Sequence, residues 1–238
     1  MIVNPKGNNP LVTAGYFLTG LKMLLSPTLR GFLIVPILIN VLLYGIALSL
    51  GYYYMTDVIN HFIPDWLHWL RWLLWPLFFV CFFMVGFFTF TVMANLIAAP
   101  FYEKLAAKTL ELISGQASTS AEQSLGKIML AALHRLFYFA VRALGLVILS
   151  LIPGINILAP FLWAWFGAWS MALEYLAYPL ENEGVLFDEQ KRLAKEIRFG
   201  ALSFGGLTML GLTLPVVNII IAPAAVIGAT CYLYDIKE

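Results

Sequence analysis

Arg30 is where the chemistry of this chain starts. It follows Ser26-Pro27-Thr28-Leu29 and precedes Gly31 to Met55, a run of 25 residues without a charge. Ser is a favoured helix N-cap, and Pro is at home in a first helical turn. The spacing therefore predicts a helix start at this point. Free backbone N–H groups and the positive helix end collect there, and the Arg30 guanidinium adds a full charge. That combination can hold an anion.

Further polar side chains stand in or beside apolar runs: Asn40, Asn95, Asn156, Asn218, Glu103, Glu174, Arg135 and Arg142. Arg135 and Arg142 are seven residues apart, hence on one face of a helix. Ionisable groups at membrane depth are costly and usually face a bundle interior or an aqueous cavity. Together they read as a polar, Arg-bearing path suited to an anion. Snorkelling Arg and interfacial, helix-capping Asn are the competing reading for each residue taken singly.

Other chemistries find little support. His61, Asp65 and His68 have the i, i+4, i+7 spacing of a metal-binding face. Pro64 interrupts it, and the polar side of an interfacial segment looks the same. Cys81 and Cys231 lie inside apolar runs and form neither a disulfide framework nor a metal-ligand spacing. No G-x-S-x-G, H-E-x-x-H or phosphate-binding Gly-rich loop with a following Lys occurs. Neither an enzyme, nor a cofactor, nor ATP hydrolysis is expected.

Composition says what solvent the positioning elements need. Hydrophobic residues make up 61% and charged residues 11% of the 238, against about 25% charged in soluble domains. The bilayer must solvate much of the chain. A net charge of +1 points to no nucleic-acid partner.

The pattern predicts one all-α membrane domain over 1–238. Residues 10–25 are too short to span and read as an interfacial helix. Residues 31–55 and 73–101 read as transmembrane helices, the first kinked near Pro36. The Trp-rich stretch between them reads as an interfacial belt. Residues 102–143 read as cytoplasmic helices, with Ser120 and Gln123 as a capping box.

Residues 144–180 and 199–234 form a weak internal repeat. Each has two apolar arms around P-x-x-N-x(2 or 3)-A-P, at Pro153 to Pro160 and Pro215 to Pro223. Both read as Pro/Asn-broken hairpins separated by the cytoplasmic interval 181–198. Irregular backbone in lipid favours partial, re-entrant penetration, although the arm lengths also permit full hairpins. Ala164, Ala168 and Ala172 recur every fourth residue and permit close helix packing, within the chain or between subunits. Arg71 alone of the 14 Lys and Arg falls in the 56–72 loop, so both termini and the charged intervals are expected in the cytoplasm.

Several motifs carry a family resemblance. They are Gly15-Tyr16-Phe17-x-x-Gly20, Ser26-Pro27-x-Leu29-Arg30, Pro36-Ile-Leu-Ile-Asn40 and Asn95-Leu-Ile-Ala-Ala-Pro-Phe101. Ile152-Pro-Gly-Ile-Asn156, Glu174-Tyr175-x-x-Tyr178-Pro179 and the Pro215 to Thr230 segment complete the set. With these motifs the chain resembles the CysZ-type sulfate permeases of bacterial inner membranes, over nearly its whole length.

The resemblance implies two long spanning helices, two partially inserted hairpins and a homo-oligomer. It also implies sulfate uptake into the cytoplasm for cysteine synthesis, by a channel-like or ion-coupled route. It implies sulfate binding at the Thr28-Leu29-Arg30 turn, which with Gly31 forms the expected sulfate site; Asn40, Asn95, Glu103, Arg135 and Arg142, read from their places in or beside apolar runs, are expected along the route. Thr28 stands where Gly is usual, Gly31 where a second Arg often follows, and Ala177 where Asp is common. A membrane scaffold or regulator without a conduction path is the alternative, supported by the amphipathic material at 101–134 and 188–198.

Overall fold

The computed structural model describes residues 4–63, 67–116, 125–214 and 217–237. Asp65 of the His61–His68 pattern, the Ser120/Gln123 pair and Pro215 lie outside them. Eight α-helices are described: α1 Pro10–Leu24, α2 Gly31–Phe62, α3 His68–Ser114, α4 Leu125–Leu151, α5 Ala159–Asn182, α6 Phe187–Glu196, α7 Arg198–Leu212 and α8 Asn218–Lys237. Short 3-10 turns occupy Pro5–Asn8 and Ile155–Leu158. The polar stretch after Met55 stays helical to Phe62. It contains no Gly or Pro before Pro64, so nothing in it breaks a helix.

Among the described residues, five stretches are long and apolar enough to cross a membrane: Gly31–Ile59, Trp69–Gly86, Met129–Leu151, Ile155–Asn182 and Asn218–Lys237. The chain is an all-α, multi-pass membrane protein. It divides into two compact units, Met1–Leu33 with Tyr102–Glu238, and Ile34–Phe101.

In the larger unit, α1, α5, α7 and α8 pack on one another. Small residues let their backbones touch. A Cβ on Gly20 would collide with Ala224 O and lie 2.7 Å from Gly228 N, and one on Gly228 would lie 2.8 Å from Tyr16 O. The same device joins α5 to α7, where a Cβ on Gly205 would collide with Ala168 O and lie 2.6 Å from Ala172 N. Two of the three regularly spaced alanines thus serve packing within the chain. Tyr232 is fully buried at the centre. Its ring stacks 6.2 Å from Phe204 and lies 5.4 Å from Tyr16, and its hydroxyl donates to Gly7 O.

The first Pro/Asn repeat makes the turn between α4 and α5, whereas Asn218 to Pro223 of the second lies inside α8. Gly154 takes φ +88° after Pro153, a left-handed conformation that costs glycine little. Asn156 N–H then donates to Ile152 O at 3.1 Å, and α5 begins with Pro160 in its first turn. In the second repeat Asn218 N–H donates to Leu214 O at 3.1 Å as α8 begins.

In the smaller unit, the Tyr44 and Thr89 hydroxyls are 2.9 Å apart. The Tyr52 and Trp75 rings are 4.8 Å apart. These contacts join α2 to α3.

Candidate anion-binding site

The turn after α1 is fixed from both sides. Asn9 caps α1 by accepting from Leu11 N–H at 2.9 Å, with Pro10 in the first turn. The Gly20 approach seats the C-terminal part of α1 against α8. Leu25 and Ser26 N–H groups close that end on Lys22 O and Met23 O, at 3.3 and 3.0 Å. Beyond it Leu29 is completely buried in the core with Leu24 and Leu105. Leu29 therefore works as the anchor of the turn.

The backbone of the turn is used unevenly. Ser26 O accepts from both Leu29 N–H (3.2 Å) and Arg30 N–H (3.1 Å). Phe32 and Leu33 N–H groups donate to Leu29 O and Arg30 O. The N–H groups of Thr28 and Gly31 donate to no backbone carbonyl among the described residues. Ser26 Oγ is buried and has no hydrogen-bond partner among them. The side-chain N-cap expected of Ser26 is not made: helix α2 starts five residues later, at Gly31, so the hydroxyl is out of register for it. Thr28, Arg30 and Gly31 are exposed. A Cβ on Gly31 would meet nothing within 4 Å, so the site has room for a side chain.

The other predicted residues of the larger unit sit in different surroundings. Arg135 Nη2 pairs with Glu181 and donates to Gln190 Oε1 at 2.9 Å. Gln190, 2% exposed, donates in turn to Val185 O at 2.8 Å. Arg142 Cζ lies 3.5 Å over the Tyr138 ring, and its Nη1 donates to Tyr138 O at 3.2 Å. Glu103 is exposed, and its backbone O accepts from Asn182 Nδ2 at 2.9 Å. Loss of part of its hydration, and then the negative charge of Glu181, push the Glu103 carboxyl above the usual range. Asn40 and Asn95 belong to α2 and α3 in the smaller unit; their side chains lie outside the described set. No group of three His, Cys, Asp or Glu converges on a metal position among the described residues.

Sequence reasoning missed Glu181 and Gln190 as the partners of Arg135. The available signal was in α6. Its buried stripe is Phe187, Gln190, Leu193 and Ala194, and a polar residue on an apolar stripe marks a buried hydrogen bond.

Residues 16–223 match the family model described as sulfate transporter CysZ/etoposide-induced protein 2.4. Among similar proteins, the sulfate transporter CysZ of Pseudomonas fluorescens (strain Pf0-1) is 40% identical over 226 residues, covering 91% of this chain and 90% of that protein. That of Vibrio atlanticus (strain LGP32) is 37% identical over 229 residues, covering 91% and 89%. That of Pseudomonas aeruginosa (strain LESB58) is 35% identical over 226 residues, covering 91% and 92%. With motifs, helical architecture and matches coinciding over almost the whole length, the chain belongs to the CysZ/etoposide-induced protein 2.4 family.

Proposed function

We propose that this protein carries sulfate across the bacterial inner membrane into the cytoplasm, supplying sulfur for cysteine synthesis, and that the Ser26–Gly31 turn captures the ion. The sulfate transporters to which it is similar over nine-tenths of its length support the substrate. One observation carries the site: a single anchored turn has two unused N–H groups, one unpaired buried hydroxyl and an exposed guanidinium. Sulfate is a tetrahedral dianion that needs several donors at once. Hydrogen bonds to an ionised group are about twice as strong as neutral ones, so Arg30 supplies the largest single contribution. Because Arg30 is exposed, binding weakens as salt rises.

Passage follows a channel-like or ion-coupled route, without ATP. Asn40, Asn95, Glu103, Arg135 and Arg142 are the proposed polar contributors along the apolar segments. The basic residues support cytoplasmic termini. Helix α7, with 15 residues, reaches about 22 Å. The hydrocarbon core is about 30 Å thick, which supports a re-entrant α7–α8 hairpin. The exposed apolar faces of α4 and α5 support a homo-oligomer.

Calorimetric titration with sulfate at low salt tests the site. The wild type binds, Arg30→Ala loses at least about tenfold in affinity, and Gly31→Arg, which has room for the second cation, binds more tightly. Wild-type affinity in Arg30→Ala would sink the turn as the capture point.

A further inference from the structure

A second cationic place lies well apart in sequence from the turn. The cleft bounded by α4, α5, the end of α6 and the start of α7 encloses about 850 Å³. Arg142, Lys195 and Arg198 line it, and no Asp or Glu does among the described residues. All three cations are exposed, and none pairs with a carboxylate among the described residues. The remaining walls are apolar or aromatic, including Leu146, Leu149, Leu162 and Phe166.

The charge is not spread evenly. On α4 the cleft runs from Tyr138 through Arg142 to Leu149, about 16 Å of helix. On α5 it runs antiparallel, from Trp169 to Leu162, and on α7 from Arg198 to Leu202. Each wall therefore has its cation or aromatic side chains toward one end and ends in an aliphatic side chain at the other. A bare oxyanion has no use for that apolar end, whereas an amphiphile with an anionic head matches both ends. The apolar windows of α4 and α5 are 0% and 6% buried, so the protein itself leaves the walls open.

We propose that this cleft holds one anionic phospholipid, its phosphate among Arg142, Lys195 and Arg198 and an acyl chain along Leu146, Leu149 and Leu162. Basic side chains beside a hydrocarbon groove bind a phosphodiester headgroup by charge and leave the chain to dispersion and solvent exclusion. The occupant is a lipid, so the cleft is a structural seat distinct from the Ser26–Gly31 turn, with Arg142 the one residue it shares with the proposed ion route.

Native mass spectrometry on the delipidated, detergent-purified full chain tests this, with phosphatidylglycerol and phosphatidylcholine as probes. Arg142 is left intact because it is also a proposed contributor to the ion route. The wild type retains one phosphatidylglycerol at least about tenfold more tightly than phosphatidylcholine. Lys195→Gln with Arg198→Gln removes that preference. Leu149→Trp, which narrows the apolar end and keeps all three cations, weakens both lipids. The proposal fails if the wild type shows no headgroup preference or if the double variant keeps it. It also fails if millimolar sulfate displaces the lipid, which would assign the cleft to the free ion. Should the double variant not elute as the wild type does in size-exclusion chromatography, the wild-type preference and Leu149→Trp decide.

Discussion

The two helix pairs of the larger unit, α4 with α5 and α7 with α8, carry the same Pro/Asn repeat and are comparably apolar, yet the chain itself covers them unequally. In α8, 78% of the apolar stretch is buried by the rest of the chain; in α4 the figure is 0% and in the apolar first part of α5 6%, while α5 from Ala172 onward packs into the core. Helix α8 is lined with Ala222, Ala224, Ala225, Gly228 and Ala229, and α1, α5 and α7 press on it closely. Helix α4 is held chiefly near its charged half. There Arg135 pairs with Glu181 and Gln190, and His134 Nδ1 lies 3.4 Å from Asp188. A small cluster of Phe187, Leu173 and Ala194 with Tyr138 and Phe139 adds to that hold. Hydropathy alone therefore does not say how much of a membrane helix its own chain covers. Side-chain size decides it, because only small residues let several backbones approach one helix.

Breaking the buried hairpin should give the largest effect. Gly205→Ala or Gly228→Ala drives a Cβ into neighbouring backbone, which cannot swing aside as a side chain can. Overpacking costs about 1–3 kcal/mol, so the melting temperature in detergent should fall by about 3–10 °C. Gly145→Ala, on the bare face of α4 with nothing within 4 Å, should be neutral or slightly stabilising through helix propensity. Equal losses in all three variants would erase the contrast.

The next effect is on the tether of α4. Arg135→Leu leaves the buried Gln190 Oε1 without this donor and should cost about 1–3 kcal/mol. Hydrogen exchange in α4 should quicken while that in α8 stays unchanged. Acceleration in α8 instead would make the two hairpins one cooperative unit.

The smallest effect depends on pH. The hydrogen bond and charge of Lys191, and then His134, hold the Asp188 carboxyl below its usual range. A depressed folded value means the native state favours the ionised form. The contribution is present above the unfolded aspartate value of about 3.9 and is lost as pH falls through the lower folded value. Asp188 is exposed, so Asp188→Asn should lower the melting temperature by no more than about 2 °C at pH 6. The gap should close below about pH 4. A gap that grows on acidification would contradict the assignment.

Much of this organisation is legible in the residues. The charge-poor composition demands a bilayer, the first P-x-x-N repeat falls at the α4–α5 turn, and Ala168 and Ala172 mark a close approach. Two things are not legible for physical reasons. The partner of Arg135 is 46 residues away in the chain, and no local pattern encodes so distant a pairing. Ser26 carries the composition of an N-cap, but the burial of Leu29 sets the turn and shifts the helix start to Gly31. That tertiary contact leaves Ser26 Oγ unpaired inside the turn.

The most direct test of the central claim is uptake of labelled sulfate into liposomes containing only this purified chain. Uptake above protein-free liposomes, without ATP, is predicted, and Arg30→Ala should lower it at least about tenfold at low salt. No flux under either a sulfate or a proton gradient would contradict transport and favour a scaffold. Undiminished flux in Arg30→Ala would contradict capture at the turn.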